Sequence, residues 1–126
     1  MDCTDMKYPD NFFDIAIDKS TIDAILCGDN AFLNVAKMMK EVQRVLKTGG
    51  QYIAISYGKP ENRSFHFERE HLKFNLKQFV LYPMSAKTQE EKDEKSHYIY
   101  VCTKLEGAEE MEKLFYDKVC NLIIKE

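Results

Sequence analysis

Asp18 is the residue of this 126-residue chain best placed to do chemistry. It follows a short apolar strand, Phe12 to Ile17, and leads through Lys19-Ser20-Thr21 into a helix-like run. In doubly wound α/β folds ligands sit at the carboxyl ends of the strands, so a carboxylate just past an apolar strand faces the ligand. There it favours a cationic ligand. Its competing role is to cap the next helix, a task open equally to Ser20, Thr21 or Asp23. Lys19 reads as a substrate or cofactor contact, or as an exposed strand-end residue. The acidic turn from Asp2 to Asp5 offers further carboxylates, although short carboxylates in turns also satisfy nearby backbone donors. Ser56, Tyr57 and His66 fall just past a second strand, where each would line the entry of a second reactant or sit in an ordinary loop. His71 and His97 read as structural. No Ser/His/Asp order, no paired carboxylates at helical spacing and no phosphate loop points to a hydrolase or kinase.

These residues need a scaffold, and hydrophobic periodicity supplies one. The nearly continuous apolar run at Phe12–Ile17 suits a strand buried on both faces of a parallel sheet. Asp29-Asn30 offers a helix N-cap. Phe32, Val35, Ala36, Met39, Val42, Val45 and Leu46 then recur at three-four spacing, predicting a helix over Ala31–Lys47 with Lys37, Lys40, Glu41 and Lys47 off its packed face. Thr48-Gly49-Gly50 is the expected stop, and Gln51 to Tyr57 reads as the next strand. Strand, helix, strand is a βαβ unit, hence parallel pairing. Glu61 to Leu76 reads as a loop with one short helix, and Lys77 to Tyr82 as a third strand. The segment from Lys87 to Lys95 holds no apolar residue and reads as a solvated connection. Ser96 to Leu105, rich in Tyr, Ile and Val, is the strongest strand signal. A polar connection without a helix makes the last pair antiparallel. Met111, Leu114, Phe115, Val119, Leu122 and Ile123 share one face of a terminal amphipathic helix over residues 106–126.

Composition bounds the rest. Hydrophobic residues make up 44% and charged residues 31%, as in an ordinary globular domain, and the net charge of −3 lacks the basic excess of a general nucleic-acid binder. No apolar run approaches the ~20 residues needed to span a bilayer. Cys3, Cys27, Cys102 and Cys120 lack ligand spacing, so they read as small hydrophobes kept reduced in the cytoplasm, with no metal site.

Several blocks resemble one family. They are Met1-Asp2-Cys3-Thr4-Asp5-Met6, Pro9-Asp10-Asn11 with Phe13-Asp14, and Ile17-Asp18-Lys19-Ser20-Thr21-Ile22-Asp23-Ala24. Glu41-Val42-Gln43-Arg44-Val45-Leu46-Lys47 with Gly49-Gly50, Tyr52 to Ser56, and His97-Tyr98-Ile99-Tyr100-Val101-Cys102 continue the match. Together they resemble a class I (seven-β-strand) S-adenosylmethionine-dependent methyltransferase, closest to the eukaryotic group that includes lysine methyltransferases of elongation factor 1-alpha. The resemblance covers residues 1–105 and corresponds to the carboxyl-terminal half of such a domain. It implies an α/β, partial Rossmann-like sheet, mostly parallel with an antiparallel last strand, plus a carboxyl-terminal helix. It implies S-adenosyl-L-methionine as cofactor and a protein lysine, for instance on a translation factor, as acceptor. By resemblance Asp2 accepts a hydrogen bond from the adenine amino group, the backbone of Cys3 meets the ring edge and Met6 lines the adenine pocket. Asp18 would face the amino-acid end of the cofactor and the reacting methyl, making it both a cofactor ligand and the catalytic residue.

The family's first strands and glycine-rich cofactor loop find no counterpart in these residues. Three expectations follow: a methyltransferase fragment, a truncated inactive domain serving as a structural or assembly subunit, or a domain whose other half comes from a second chain. In each, the Phe12–Ile17 strand lies at a sheet edge although its sequence suits the centre. A bare apolar edge invites association. Self-association, a partner or the terminal helix is therefore expected to cover it.

Overall fold

The computed structural model describes residues 3–81, 87–88, 90 and 96–125. In chain order the elements are β1 (Phe13–Lys19), α1 (Thr21–Leu26), α2 (Ala31–Val45), β2 (Leu46–Ser56), α3 (Pro60–Phe67), β3 (Phe74–Leu81), β4 (His97–Lys104) and α4 (Ala108–Lys125). The four strands form one sheet in the order β1-β2-β4-β3. β1 and β2 pair in parallel, while β4 is antiparallel to both of its neighbours. β1, β2 and β3 therefore share a direction and β4 alone is reversed, giving the expected α/β sheet. The reversed strand is inserted between β2 and β3 rather than flanking them. β3 starts at Phe74, earlier than its weak alternation suggests. Tyr82 and the polar connection, apart from residues 87, 88 and 90, lie outside the described residues.

The long helix stops two residues earlier than the glycine signal suggests. Leu46 is already extended, with φ −82 and ψ 141. The last carbonyls of α2 are satisfied from elsewhere: the Asn11 and Phe12 amides donate to Arg44 O and Val45 O at 2.9 and 2.8 Å. With those acceptors occupied by the lead into β1, no glycine cap is needed. Gly50 serves close approach instead, since a Cβ there would lie 2.8 Å from Lys47 O and 3.0 Å from Asp14 O. At the other end Asn30 makes no side-chain cap, so the expected capping bond is not formed. α3 begins at Pro60, where the missing N–H and fixed φ suit a first helical turn.

α2 lies on one face of the sheet. Val35, Met38, Met39 and Val42 pack with Leu46, Tyr52, Ala54, Tyr100 and Cys102, closed at one side by Phe67 and Leu72. Burying each such aliphatic side chain stabilises the fold by about 1.5–3 kcal/mol. Glu41, expected off the packed face, is 8% exposed because its carboxylate accepts the Met6 amide and the Arg44 guanidinium.

α4 packs on α2 through Val119 and Ile123 against Ala36. Gln43 Nε2 donates to Ala108 O at 2.6 Å, and Lys40 pairs with Glu112 and lies over the Tyr116 ring. The packed stripe thus runs Ala108, Glu112, Tyr116, Val119, Ile123, whereas Leu114 and Leu122, expected on that face, are exposed. Lys104 fixes the start of α4. Its buried Nζ donates to Leu46 O at 2.7 Å and Asn11 Oδ1 at 3.1 Å and pairs with Glu109 at 2.9 Å. That bond from Lys104 holds the Glu109 carboxyl below its ordinary range. Seated on α2, α4 leaves the β1 edge uncovered, with Ile17 70% exposed.

Candidate functional site

Beside β1, the chain from Cys3 to Tyr8 folds back over α2 and encloses a cavity of about 350 Å³. Two charged residues of α2 hold that segment down. Glu41 Oε1 accepts the Met6 amide at 2.9 Å. Arg44 donates to Met6 O, Tyr8 O, Asp10 Oδ1 and Glu41 Oε2 at 2.7–2.8 Å. The carboxylates of Glu41 and Asp10 raise the already high pKa of the guanidinium further, so this clamp is charged at every accessible pH. The cavity walls are Met6, Tyr8, Phe13, Met38, Val42 and Tyr52, with Cys3 at one side. At the carboxyl end of β1 the same cavity meets Asp18, Lys19 and Thr21.

Asp18 is held by two bonds. Its Oδ1 accepts the Thr21 amide at 2.9 Å, and its Oδ2 accepts the Tyr52 hydroxyl at 2.7 Å. Burial, reinforced by the Asp18 charge, pushes the Tyr52 phenol well above its usual range, so Tyr52 stays a donor. Helix capping therefore falls to Asp18 itself, because Ser20 adopts φ +65 and makes no side-chain cap. No cation pairs with Asp18 among the described residues.

Asp23 occupies the opposite situation. Its Oδ1 accepts Ser56 Oγ at 2.5 Å and Arg63 Nε at 3.1 Å, and its Oδ2 accepts the Tyr57 amide at 3.0 Å. Burial would raise its pKa, but the bonds from Ser56, the Tyr57 amide and Arg63 outweigh it and hold the carboxyl below the usual range. Ser56 Oγ also accepts the Gly58 amide at 2.9 Å, and Tyr100 donates to Gly58 O at 2.6 Å. The knot ties α1, the end of β2, α3 and β4 together.

The sequence-derived candidates divide accordingly. Cys3, Met6 and Asp18 converge on the cavity, and Lys19 joins them. Asp2 lies outside the described residues. Ser56 and His66 are buried away from the cavity, while Tyr57 is exposed, its ring 4.5 Å from that of His97 and tilted 46° to it. His66 packs on Phe32 and Phe65, and burial, with Arg69 and Arg63 nearby, pulls its pKa down to about 4. His71 is buried between Ala36 O and the Tyr116 ring, and burial likewise lowers it to about 4. The residues that sequence reasoning missed are Tyr52, Glu41 and Arg44. Only the i, i+3 spacing of Glu41 and Arg44 was visible, and it is equally the mark of an exposed helical ion pair.

Comparison with known proteins places this geometry. A family model described as a methyltransferase domain matches residues 1–118, and the chain belongs to that family. The eEF1A lysine and N-terminal methyltransferase of Bos taurus is 39% identical over 75 residues, covering 56% of this chain and 11% of that protein. EEF1A lysine methyltransferase 4 of Bos taurus is 28% identical over 85 residues, 61% of this chain and 33% of its own length. The chain thus spans a tenth to a third of these curated relatives. Among solved structures, a SAM-dependent methyltransferase from Methanosarcina mazei matches with a TM-score of 0.53 at 12% identity, covering 83% of this chain and 65% of that one. A putative methyltransferase from Haloferax volcanii, solved in complex with the Trm112 methyltransferase activator, matches at 0.55 and 12%, over 83% and 59%. At these identities the structures establish the fold.

Proposed function

We propose that these residues carry part of the cofactor site of an S-adenosylmethionine-dependent methyltransferase that modifies a protein lysine. The observation that carries the reading is Asp18, a carboxylate that pairs with no cation among the described residues, at the strand end of a cavity walled by thioether and aromatic side chains. Those residues fit the cofactor: Met6, Met38 and Tyr8 suit adenine, and Asp18 suits a cationic end. Lys19 would meet the carboxylate of the amino-acid moiety. Bound there, S-adenosylmethionine supplies an activated methyl group. The residues of this chain align the reactants and exclude water. A lysine acceptor, with an ordinary pKa of about 10.4, must first lose its proton, and Asp18 would hold the amine as it arrives. Translation factors are the favoured substrate class because the names of the similar curated relatives specify eEF1A. A cytoplasmic location accords with cysteines that form no disulfide.

The second reading, an inactive methyltransferase-like subunit, is favoured by the structural bonds that already engage both Asp18 oxygens. Methyl-detected NMR separates the two. Titrating S-adenosylmethionine into the chain should shift the Met6 and Met38 methyls with a dissociation constant on the order of 1 mM. Unmoved methyls at 10-fold higher concentration would remove the cavity beside Asp18 as a cofactor site of this chain.

A further inference from the structure

The strap from Cys3 to Tyr8 belongs to no helix or strand, yet it walls the cavity beside Asp18 through Cys3, Met6 and Tyr8. Its seating comes from α2. The Met6 amide donates to Glu41 Oε1 and Arg44 Nη2 donates to Met6 O, so two side chains one helical turn apart hold the N–H and the C=O of one residue. Arg44 Nη1 donates to Tyr8 O and Asp10 Oδ1, and its Nε donates to Glu41 Oε2. All three guanidinium nitrogens are thereby committed. The Tyr8 ring meets Phe13 edge-on at 5.0 Å, which sets the strap against the start of β1. As a source of stability the arrangement is weak: the Asp10 side chain is 67% exposed, and ion pairs open to solvent contribute little. Its effect is geometric, since it fixes an irregular segment over the cavity.

We propose that Glu41 and Arg44 are positioning residues for the ligand of this cavity. By seating the strap before the ligand arrives, they place the Met6 thioether and the Tyr8 ring against it and so set its affinity. The inference rests on the cofactor reading of the cavity. Ordering a segment upon binding costs affinity, and a protein whose competent state is about one-tenth populated binds about tenfold more weakly. The requirement falls on arginine in particular. Its planar fork reaches acceptors on Met6, Tyr8, Asp10 and Glu41 from separate nitrogens. A lysine ammonium carries the same charge on one atom and cannot span them. Charge alone therefore does not seat the strap. Neither Glu41 nor Arg44 lines the cavity, so both act through Met6 and Tyr8 rather than by touching the ligand.

The test compares the chain with its Arg44→Lys variant, first without ligand and then with it. Without ligand, hydrogen exchange at the Met6 amide should be about tenfold faster in the variant. The methyl of Met39, buried in the core and off the cavity, should not move. Titrated S-adenosylmethionine should then shift the Met6 methyl to the same end point with a dissociation constant about tenfold larger. Glu41→Gln keeps an acceptor for the Met6 amide and should bind more tightly than Glu41→Ala, a ranking that lost core packing would not produce. Unchanged Met6 exchange in Arg44→Lys overturns the positioning role, as does equal affinity in a variant whose strap exchanges faster. A Met39 methyl displaced along with Met6 also overturns it, by showing that Arg44 serves the fold as a whole. Wild-type methyls that S-adenosylmethionine leaves unmoved would overturn the cofactor reading as well, an outcome distinct from wild-type binding that the variants match.

Discussion

Two carboxylates five residues apart, Asp18 and Asp23, have been settled in opposite ways. Asp23 is closed: a guanidinium, a hydroxyl and a backbone amide take its oxygens, and its charge is neutralised inside the knot. Asp18 is open: its two bonds come from an uncharged hydroxyl and one amide, and its charge faces a cavity. Neutral donors position a carboxylate without cancelling it, whereas an ion pair cancels it. Position after a strand is therefore a weaker indicator of function than the charge of what the carboxylate touches.

The largest effect expected on the closed side is acid destabilisation. His66 and His71 have native pKa values near 4 against an ordinary 6.5. The unfolded chain therefore binds more protons between those values, and stability falls as pH drops from about 6.5 towards 4. With both residues the slope approaches 2.7 kcal/mol per pH unit. Asp23 adds its share only lower, because a depressed carboxyl stabilises above its unfolded pKa and loses that as pH falls through the native one. Urea midpoints at pH 7, 6 and 5 should decline steeply, and the His66→Gln/His71→Gln variant should flatten the decline. A wild-type midpoint constant to pH 5 would mean the two imidazoles are solvated.

Next in size, Asp23→Ala should cost about 3 kcal/mol, since it strips Ser56, the Tyr57 amide and a partly buried Arg63 of their acceptor. A double-mutant cycle with Arg63→Ala should return a coupling of about 1–3 kcal/mol. Additive losses would show that the knot holds by packing alone.

On the open side the effect moves from stability to ligand. Asp18→Asn keeps an acceptor for the Thr21 amide, replaces the oxygen that accepts from Tyr52 with an NH2 that can donate to the phenol oxygen, and removes the charge. It should shift the unfolding midpoint little and weaken S-adenosylmethionine binding about tenfold, or roughly 1.4 kcal/mol. The same NMR titration measures it. Equal binding by the Asn variant would put Asp18 in the same structural class as Asp23.

The strands and α2 were legible because their signals are local: apolar runs, three-four spacing, a polar stretch between β-rich segments. The order of the strands was half legible. A βαβ unit dictates that β1 lies parallel to β2, but nothing in the residues of β4 says that it enters between β2 and β3. The site was least legible where it depends on partners far apart in sequence. Glu41 looks like a solvated helical residue until the Met6 amide, 35 positions away, is folded onto it. The capping role, open in the sequence to Asp18, Ser20, Thr21 or Asp23, falls to Asp18, while Asp23 is committed to Ser56 and Arg63. The terminal helix repeats the lesson, since its packed stripe follows the surface of α2 rather than its own most apolar face.

The smallest expected effect is also the sharpest discriminator. Tyr52→Phe removes the hydroxyl that donates to Asp18 Oδ2 and leaves the ring packed near Phe67. Because Asp18 is only half-buried and lines the cavity, the oxygen released from Tyr52 should still be reached by water. The cost should stay at about 1 kcal/mol, the net worth of one hydrogen bond to a charged group less the relief of burying a phenol. The consequence for ligand is different in kind. If Tyr52 orients Asp18, the Phe variant should bind S-adenosylmethionine more weakly while retaining its dependence on the Asp18 charge, so adding Asp18→Asn should weaken it further. If Tyr52 only fills the core, binding will match wild type. A Phe variant that loses 3 kcal/mol or more would instead make the Tyr52–Asp18 bond a structural one, erasing the distinction between the open carboxylate and the closed one.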